Sequence, residues 1–149
     1  MYASRNDLFE RFGQASIENL ERMVSADKQP DATITEAAIT DASEEADSYI
    51  AVSYSLPLPA VPAALKRVVC DIARYRLHSQ KSTEEITQRY EDAIAWLKRI
   101  ADKKAVLKLP VDQSGEQPDA TPNSNKAAVG TSDYNGVFGR ATTDKMPSV

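Results

Sequence analysis

Apolar residues recur at intervals of three and four up to about residue 104, which is the period of an amphipathic α-helix. Five segments carry this pattern. The sequence predicts helices over residues 4–13, 16–24, 35–54, 62–80 and 82–104. The fold class that follows is all-α, a small bundle of four to five helices.

Capping residues mark the ends of two of these helices. The hydroxyl of Ser4 can accept the free amide of Asp7, and Gly13 suits the left-handed turn that closes a helix. Ser82 and Glu85 have the spacing of a capping box ahead of the last helix. These signals set the start of the first and last predicted helices.

A proline-rich link separates the third and fourth predicted helices. Pro57, Pro59 and Pro62 lie within SLPLPAVP and exclude a continuous helix there, and Pro62 fits the first turn of the next helix. The helix before the link has an apolar stripe of mostly small residues. Because small residues permit close helix approach, we expect this helix to pack tightly.

The pattern ends near Lys104. Residues 105–149 are rich in Gly, Pro, Ser, Thr, Asn and Asp and lack sustained periodicity. The sequence therefore predicts a helical domain over 1–104 and an extended polar tail over 105–149 that orders on assembly.

Composition and length limit the class of protein. A chain of 149 residues with 42% hydrophobic and 27% charged residues is typical of one soluble globular domain. No apolar run approaches the roughly 18 residues of a membrane-spanning helix. The amino terminus lacks the order of a signal peptide, so we expect a protein that stays in the cytoplasm and has no membrane partner.

The chain offers little catalytic chemistry. Its single histidine, His78, and single cysteine, Cys70, lie eight positions apart on one predicted helix, too far for a direct pair. No P-loop, dinucleotide fingerprint or HExxH sequence is present. We expect no enzyme, no catalytic residue, no metal and no cofactor, with Cys70 in the core and His78 solvated or at an interface.

Charge is unevenly distributed along a chain of net charge −4. Residues 31–47 contain six acidic and no basic residues, whereas residues 66–81 contain five Lys or Arg residues and one acidic residue. The basic helix could dock on duplex DNA, although it lacks the short turn and preceding helix of a helix-turn-helix. Trp96, at the edge of the last apolar face, is either a core-margin residue or a subunit contact.

Three segments carry a resemblance to a known family: YASRNDLFERFG, ADSYIAVSYSLPLPAVPAALKRVVCDIARYRLH and TEEITQRYEDAIAWLKRIA. They resemble, in the same order over about residues 1–104, the neck proteins of Mu-like bacteriophages and prophages. The family is similar in role to the head-completion or adaptor proteins of other long-tailed phages. The resemblance implies a ring, usually of twelve copies, at the virion neck between the portal and the tail-completion or tail-terminator proteins, with DNA passing through without sequence-specific binding.

A ring subunit needs two different faces that meet head-to-tail, and the acidic and basic helices can supply them. The same two helices could instead pair within one subunit, and the sequence leaves both readings open. The candidate subunit-interface residues are Asp41, Glu44, Glu45, Arg67, Arg74 and Trp96.

The end of the tail resembles an aromatic-plus-arginine segment of the family. In YNGVFGR, the candidate portal-docking residues are Tyr134, Val137, Phe138 and Arg140. A tail-terminator or head-decoration protein is the alternative within phage biology. A small helical DNA-binding regulator is the alternative from another class.

Overall fold

The computed structural model describes residues 1–78 and 82–109, and these residues contain five α-helices. They are α1 (Arg5–Phe12), α2 (Gln14–Val24), α3 (Ala32–Ile50), α4 (Ala63–His78) and α5 (Glu84–Ala101). Within those residues there is no strand, so the predicted all-α class is confirmed.

Local capping sets the start and end of α1. The Ser4 hydroxyl accepts the amide of Asp7, and the Asp7 carboxylate accepts the amide of Ser4 at 2.8 Å, which completes a capping box. Gly13 has a φ of +86° and donates its amide to the carbonyl of Phe9. Both predicted signals are confirmed.

The other boundaries differ from the prediction by a few residues. Helix α2 begins directly after Gly13, and α3 begins after Asp31, whose carboxylate accepts the amide of Thr33 at 2.9 Å. The predicted capping box of Ser82 is wrong. Thr83 occupies the N-cap position of α5 without a side-chain bond, and the Ser82 hydroxyl instead lies 3.1 Å from that of Thr87.

The core lies where α3 packs against both α4 and α5, and α1 and α2 pack against α3 and α4. Ala42 and Ala46 are fully buried on α3, so the predicted small-residue stripe lies in the core. The proline-rich link between α3 and α4 is non-helical, as predicted, and its Leu56–Pro57 peptide is cis. The largest buried apolar side chains are Leu8, Ile17, Ile39, Ile50, Leu65, Ile72, Leu97 and Ile100.

The core continues beyond the predicted start of the tail. The Ser53 hydroxyl donates to the carbonyl of Ile100 at 3.0 Å, and the Tyr54 hydroxyl accepts the backbone amide of Leu107 at 3.0 Å. Leu107 and Leu109 are buried. The packed unit therefore includes residues up to Leu109, and residues 110–149 lie outside the described part of the chain.

Substituting Tyr54→Phe should lower the free energy of unfolding by about 1–2 kcal/mol, because the buried amide of Leu107 would lose its acceptor. Chemical denaturation of the purified protein measures this change. Tyr49→Phe is the matched control: the same atom is removed from a half-buried tyrosine with no hydrogen bond in the described structure. Equal losses in both variants would contradict the role assigned to the Tyr54 hydroxyl.

Candidate functional site

The acidic helix α3 and the basic helix α4 pair within the subunit through one arginine. Arg76 donates to the Glu45 carboxylate at 2.8 Å, and its other nitrogen lies 3.7 Å from Asp41. The Tyr90 hydroxyl of α5 also donates to Glu45, at 3.2 Å. Glu45 therefore joins three helices of one chain, and its place in a subunit interface stays a prediction.

Tyrosine stacking strengthens this junction. The rings of Tyr75 and Tyr90 lie 4.2 Å apart and nearly parallel, at 13°. Burial and the neighbouring Glu45 carboxylate raise the pKa of Tyr90, and the hydrogen bond to Glu45 raises the pKa of Arg76. Tyr90 therefore stays neutral and Arg76 stays charged near neutral pH.

Adjacent glutamates on α3 allow a direct test of the role of Glu45 in joining the three helices. Glu45→Ala should lower the free energy of unfolding by about 1 kcal/mol, since the hydrogen bonds from Arg76 and Tyr90 disappear from a largely shielded site. Glu44→Ala should change it by less than about 0.5 kcal/mol, because Glu44 is exposed and has no partner among the described residues. Thermal denaturation of both variants measures the difference, and similar losses would contradict the assignment.

Arg74, another predicted interface residue, holds α1 against α4. Its guanidinium lies 4.4 Å from the centre of the Phe12 ring, and that of Arg11 lies 5.4 Å from the same ring. Arg11 also forms an ion pair with Asp71 at 2.9 Å. Arg74 is therefore half-buried in a contact within the chain.

Arg67 lies on the other side of α4. Nine residues, or about two and a half helical turns, separate it from Arg76, so the two side chains leave the helix in opposite directions. Arg67 is exposed and forms no ion pair within residues 1–78 and 82–109. Of the two candidate arginines, Arg67 is the more exposed.

A groove between α4 and α5, with a volume of ≈ 320 Å³, brings Arg67 together with Trp96. Trp96 is half-buried and packs against the core, so it is a core-margin residue that also lines an open surface. Arg99 lies in the same groove and, like Arg67, has no ion-pair partner in the described structure. The lining residues are Arg67, Val68, Asp71, Arg89, Asp92, Ala93, Ala95, Trp96 and Arg99.

A buried ion pair was missed from the sequence. Glu21 is fully buried and accepts two hydrogen bonds from Arg5, at 2.8 and 2.7 Å, and a third from Thr35 at 2.6 Å. Burial alone would raise the pKa of Glu21, but the bonds from Arg5 and Thr35 outweigh it and hold this pKa below its ordinary value. Val24 follows Ile17 and Leu20 at helical spacing but is 51% exposed.

The family model described as "Bacteriophage Mu, Gp36" matches residues 2–128. The chain belongs to the Bacteriophage Mu Gp36 family. Gene product J of Escherichia phage Mu is 41% identical over 103 residues, which cover 69% of this chain and 73% of that protein. The Mu-like prophage FluMu protein gp36 of Haemophilus influenzae is 36% identical over 143 residues, 96% of each chain. The resemblance to Mu-like phage proteins is confirmed.

In this Gp36-family chain, the matched range includes every predicted subunit-interface residue. The tail candidates Tyr134, Val137, Phe138 and Arg140 follow its end at residue 128 and lie outside the described residues. Their role stays a prediction. The groove of Arg67, Trp96 and Arg99 is thus part of the region that the family shares.

Cys70 and His78 lie eight positions, or about two turns, apart on α4 in this Gp36-family chain. Cys70 is 1% exposed, and burial raises the pKa of its thiol to about 11, which keeps it protonated. Burial and the nearby Arg74 lower the pKa of His78. Within the described residues, no cluster of three metal-ligating side chains occurs, and no helix has the length and apolarity needed to cross a bilayer.

Proposed function

We propose that this chain is a non-enzymatic structural subunit of a Mu-like virion that joins the head to the tail. The match of residues 2–128 to the Bacteriophage Mu family carries the proposal, together with the resemblance of the three sequence segments to neck proteins. In the proposed arrangement, about twelve copies form a ring between the portal and the tail-completion or tail-terminator proteins.

Two different exposed surfaces support a ring. The outer face of α3 carries Asp41 and Glu44, and the groove between α4 and α5 carries Arg67 and Arg99. A head-to-tail contact between unlike surfaces leaves one of each free, so it propagates until the ring closes. A contact between like surfaces would stop at a dimer.

The overall charge suits a channel for DNA. A net charge of −4 repels phosphates and so opposes adhesion of DNA that must slide through the ring. In the same proposal, residues Tyr134, Val137, Phe138 and Arg140 anchor the tail to the portal. Deleting residues 133–149 should then weaken portal binding in a pull-down, and undiminished binding would remove the anchoring role.

Electron microscopy of lysates from a phage that lacks this gene tests the proposal. Loss of a head-to-tail joining subunit should leave filled heads and complete tails that are not joined, and supplying the gene in trans should restore joined particles. Tails of irregular length would favour a tail terminator. Joined but fragile heads would favour a decoration protein, and absence of both heads and tails would favour a regulator.

A further inference from the structure

We propose that the groove between α4 and α5 receives the outer face of α3 from a second copy of this chain. This inference rests on the proposed ring and names its contact. Trp96 would lie at the centre of the contact, with Arg67 and Arg99 on its two sides. The occupant is identified from the charges and the side-chain sizes of the two surfaces.

The groove has the chemistry of an interface centre. Trp96 contributes a large, half-buried aromatic surface, and tryptophan and arginine are among the residues enriched at energetic centres of interfaces. Arg67 and Arg99 have no ion pair within the described residues, whereas Arg89 already pairs with Glu85 at 3.0 Å. Two arginines are therefore available for carboxylates from another molecule.

The outer face of α3 offers a matching surface. Ala37, Asp41, Glu44 and Ser48 recur at intervals of four, three and four, which places them in one row, and all four are exposed. Glu44 has no partner in the described structure, and the side chain of Asp41 is 60% exposed despite its 3.7 Å contact with Arg76. The small residues at both ends of the row would allow the helix to approach the groove closely.

One chain cannot make this contact with itself. Helix α3 packs on the side of α4 that carries Arg76, and Arg67 leaves α4 in the opposite direction. The acidic row and the groove therefore lie on different sides of the molecule. Each copy can accept one neighbour and insert into another, as a ring requires.

The groove fits a protein surface better than a DNA backbone. Asp71 and Asp92 lie in it among the three arginines, so its net charge is small and a row of phosphates would meet two carboxylates. Asp71 is already held by Arg11 at 2.9 Å. A helix with isolated carboxylates and small residues can avoid these acidic positions, whereas a continuous phosphate row cannot.

Complementary charge reversal in the full-length protein tests the contact. One variant carries Arg67→Glu and Arg99→Glu in the groove, and the other carries Asp41→Asn and Glu44→Lys on α3. Sedimentation velocity measures association. Acrylamide quenching of Trp96, the single tryptophan of the chain, measures whether the groove is covered.

We expect the wild-type protein to associate, with Trp96 protected from acrylamide, and each variant alone to associate at least about tenfold more weakly. Mixing the two variants should restore association, because every contact in an alternating assembly then joins opposite charges. Raising the salt from about 0.1 M to about 0.5 M should weaken the wild-type contact. Arg22→Glu, a charge reversal on an exposed part of α2, should leave association unchanged.

A wild-type protein that stays monomeric, variants that associate normally, or a mixture that does not recover would overturn the inference. Protection of Trp96 by duplex DNA, but not by added protein, would also overturn it. Circular dichroism of each variant confirms that it is folded. Should the contact fail while the gene deletion still gives unjoined heads and tails, the proposed function stands and only this interface is wrong.

Discussion

Replacing Arg5 by alanine is expected to lower the free energy of unfolding by about 3 kcal/mol, because it leaves the fully buried carboxylate of Glu21 without its cation. Thr35 would still donate one hydrogen bond, but one hydroxyl does not neutralise a buried charge. Urea denaturation at neutral pH measures the loss. Arg22→Ala is the control: Arg22 is exposed and lies 3.6 Å from Glu18, so its loss should change stability by less than about 0.5 kcal/mol.

The loss caused by Arg5→Ala should depend on pH. In the wild-type protein the pKa of Glu21 is below its ordinary value of 4.5, so the ion pair contributes stability above pH 4.5 that is lost as the pH falls through the lowered pKa. Without Arg5, burial dominates and the pKa of Glu21 should rise. The difference in stability between the two proteins should therefore shrink from neutral pH towards pH 4.5, and a constant difference would contradict this account of Glu21.

Leu97→Ala should lower the free energy of unfolding by about 3 kcal/mol, because a fully buried side chain is removed from the packing of α5 against the rest of the core. Leu56→Ala is the matched control. Leu56 lies in the proline-rich link and is 37% exposed, so the same truncation should cost less than about 1 kcal/mol. Thermal and urea denaturation give both values, and equal losses would contradict the placement of the core.

The sequence correctly predicted structural features that depend on residues close together in the chain. The capping box of Ser4 and Asp7 and the turn at Gly13 involve residues within one helical turn, and both are confirmed. Ile86, Ala93, Leu97 and Ile100 recur at helical spacing in the sequence of α5, and all four are buried. The prediction that Ser82 caps α5 was wrong because Thr83, the next residue, occupies the N-cap position.

Contacts between distant residues could not be predicted in this way. Glu21 is sixteen positions from Arg5, and nothing local to either residue shows that they meet. One signal was present: Glu21 lies four positions after the buried Ile17, so it falls within the apolar repeat of α2. A charged residue at such a position indicates a buried partner.

The candidate site was predicted by residue type but not by pairing. The sequence left open whether the acidic and basic helices pair within or between subunits. In the structure, two of the candidate interface residues make contacts within one chain. Glu45 pairs with Arg76, and Arg74 stacks on Phe12. Arg67 and Glu44 remain available to other molecules. Which arginine reaches α3 depends on how α4 is rotated in the bundle, and a charge pattern alone does not determine that rotation.

Cryo-electron microscopy of purified particles, focused on the head-to-tail junction, tests the proposed role most directly. The account predicts a ring of this protein between the portal and the tail, in which the α3 row of each copy lies in the α4–α5 groove of the next, with Glu44 near Arg67 or Arg99. A junction that lacks this protein would contradict the proposed function. A ring whose neighbours meet through other surfaces, with Trp96 exposed, would contradict the interface assigned to it.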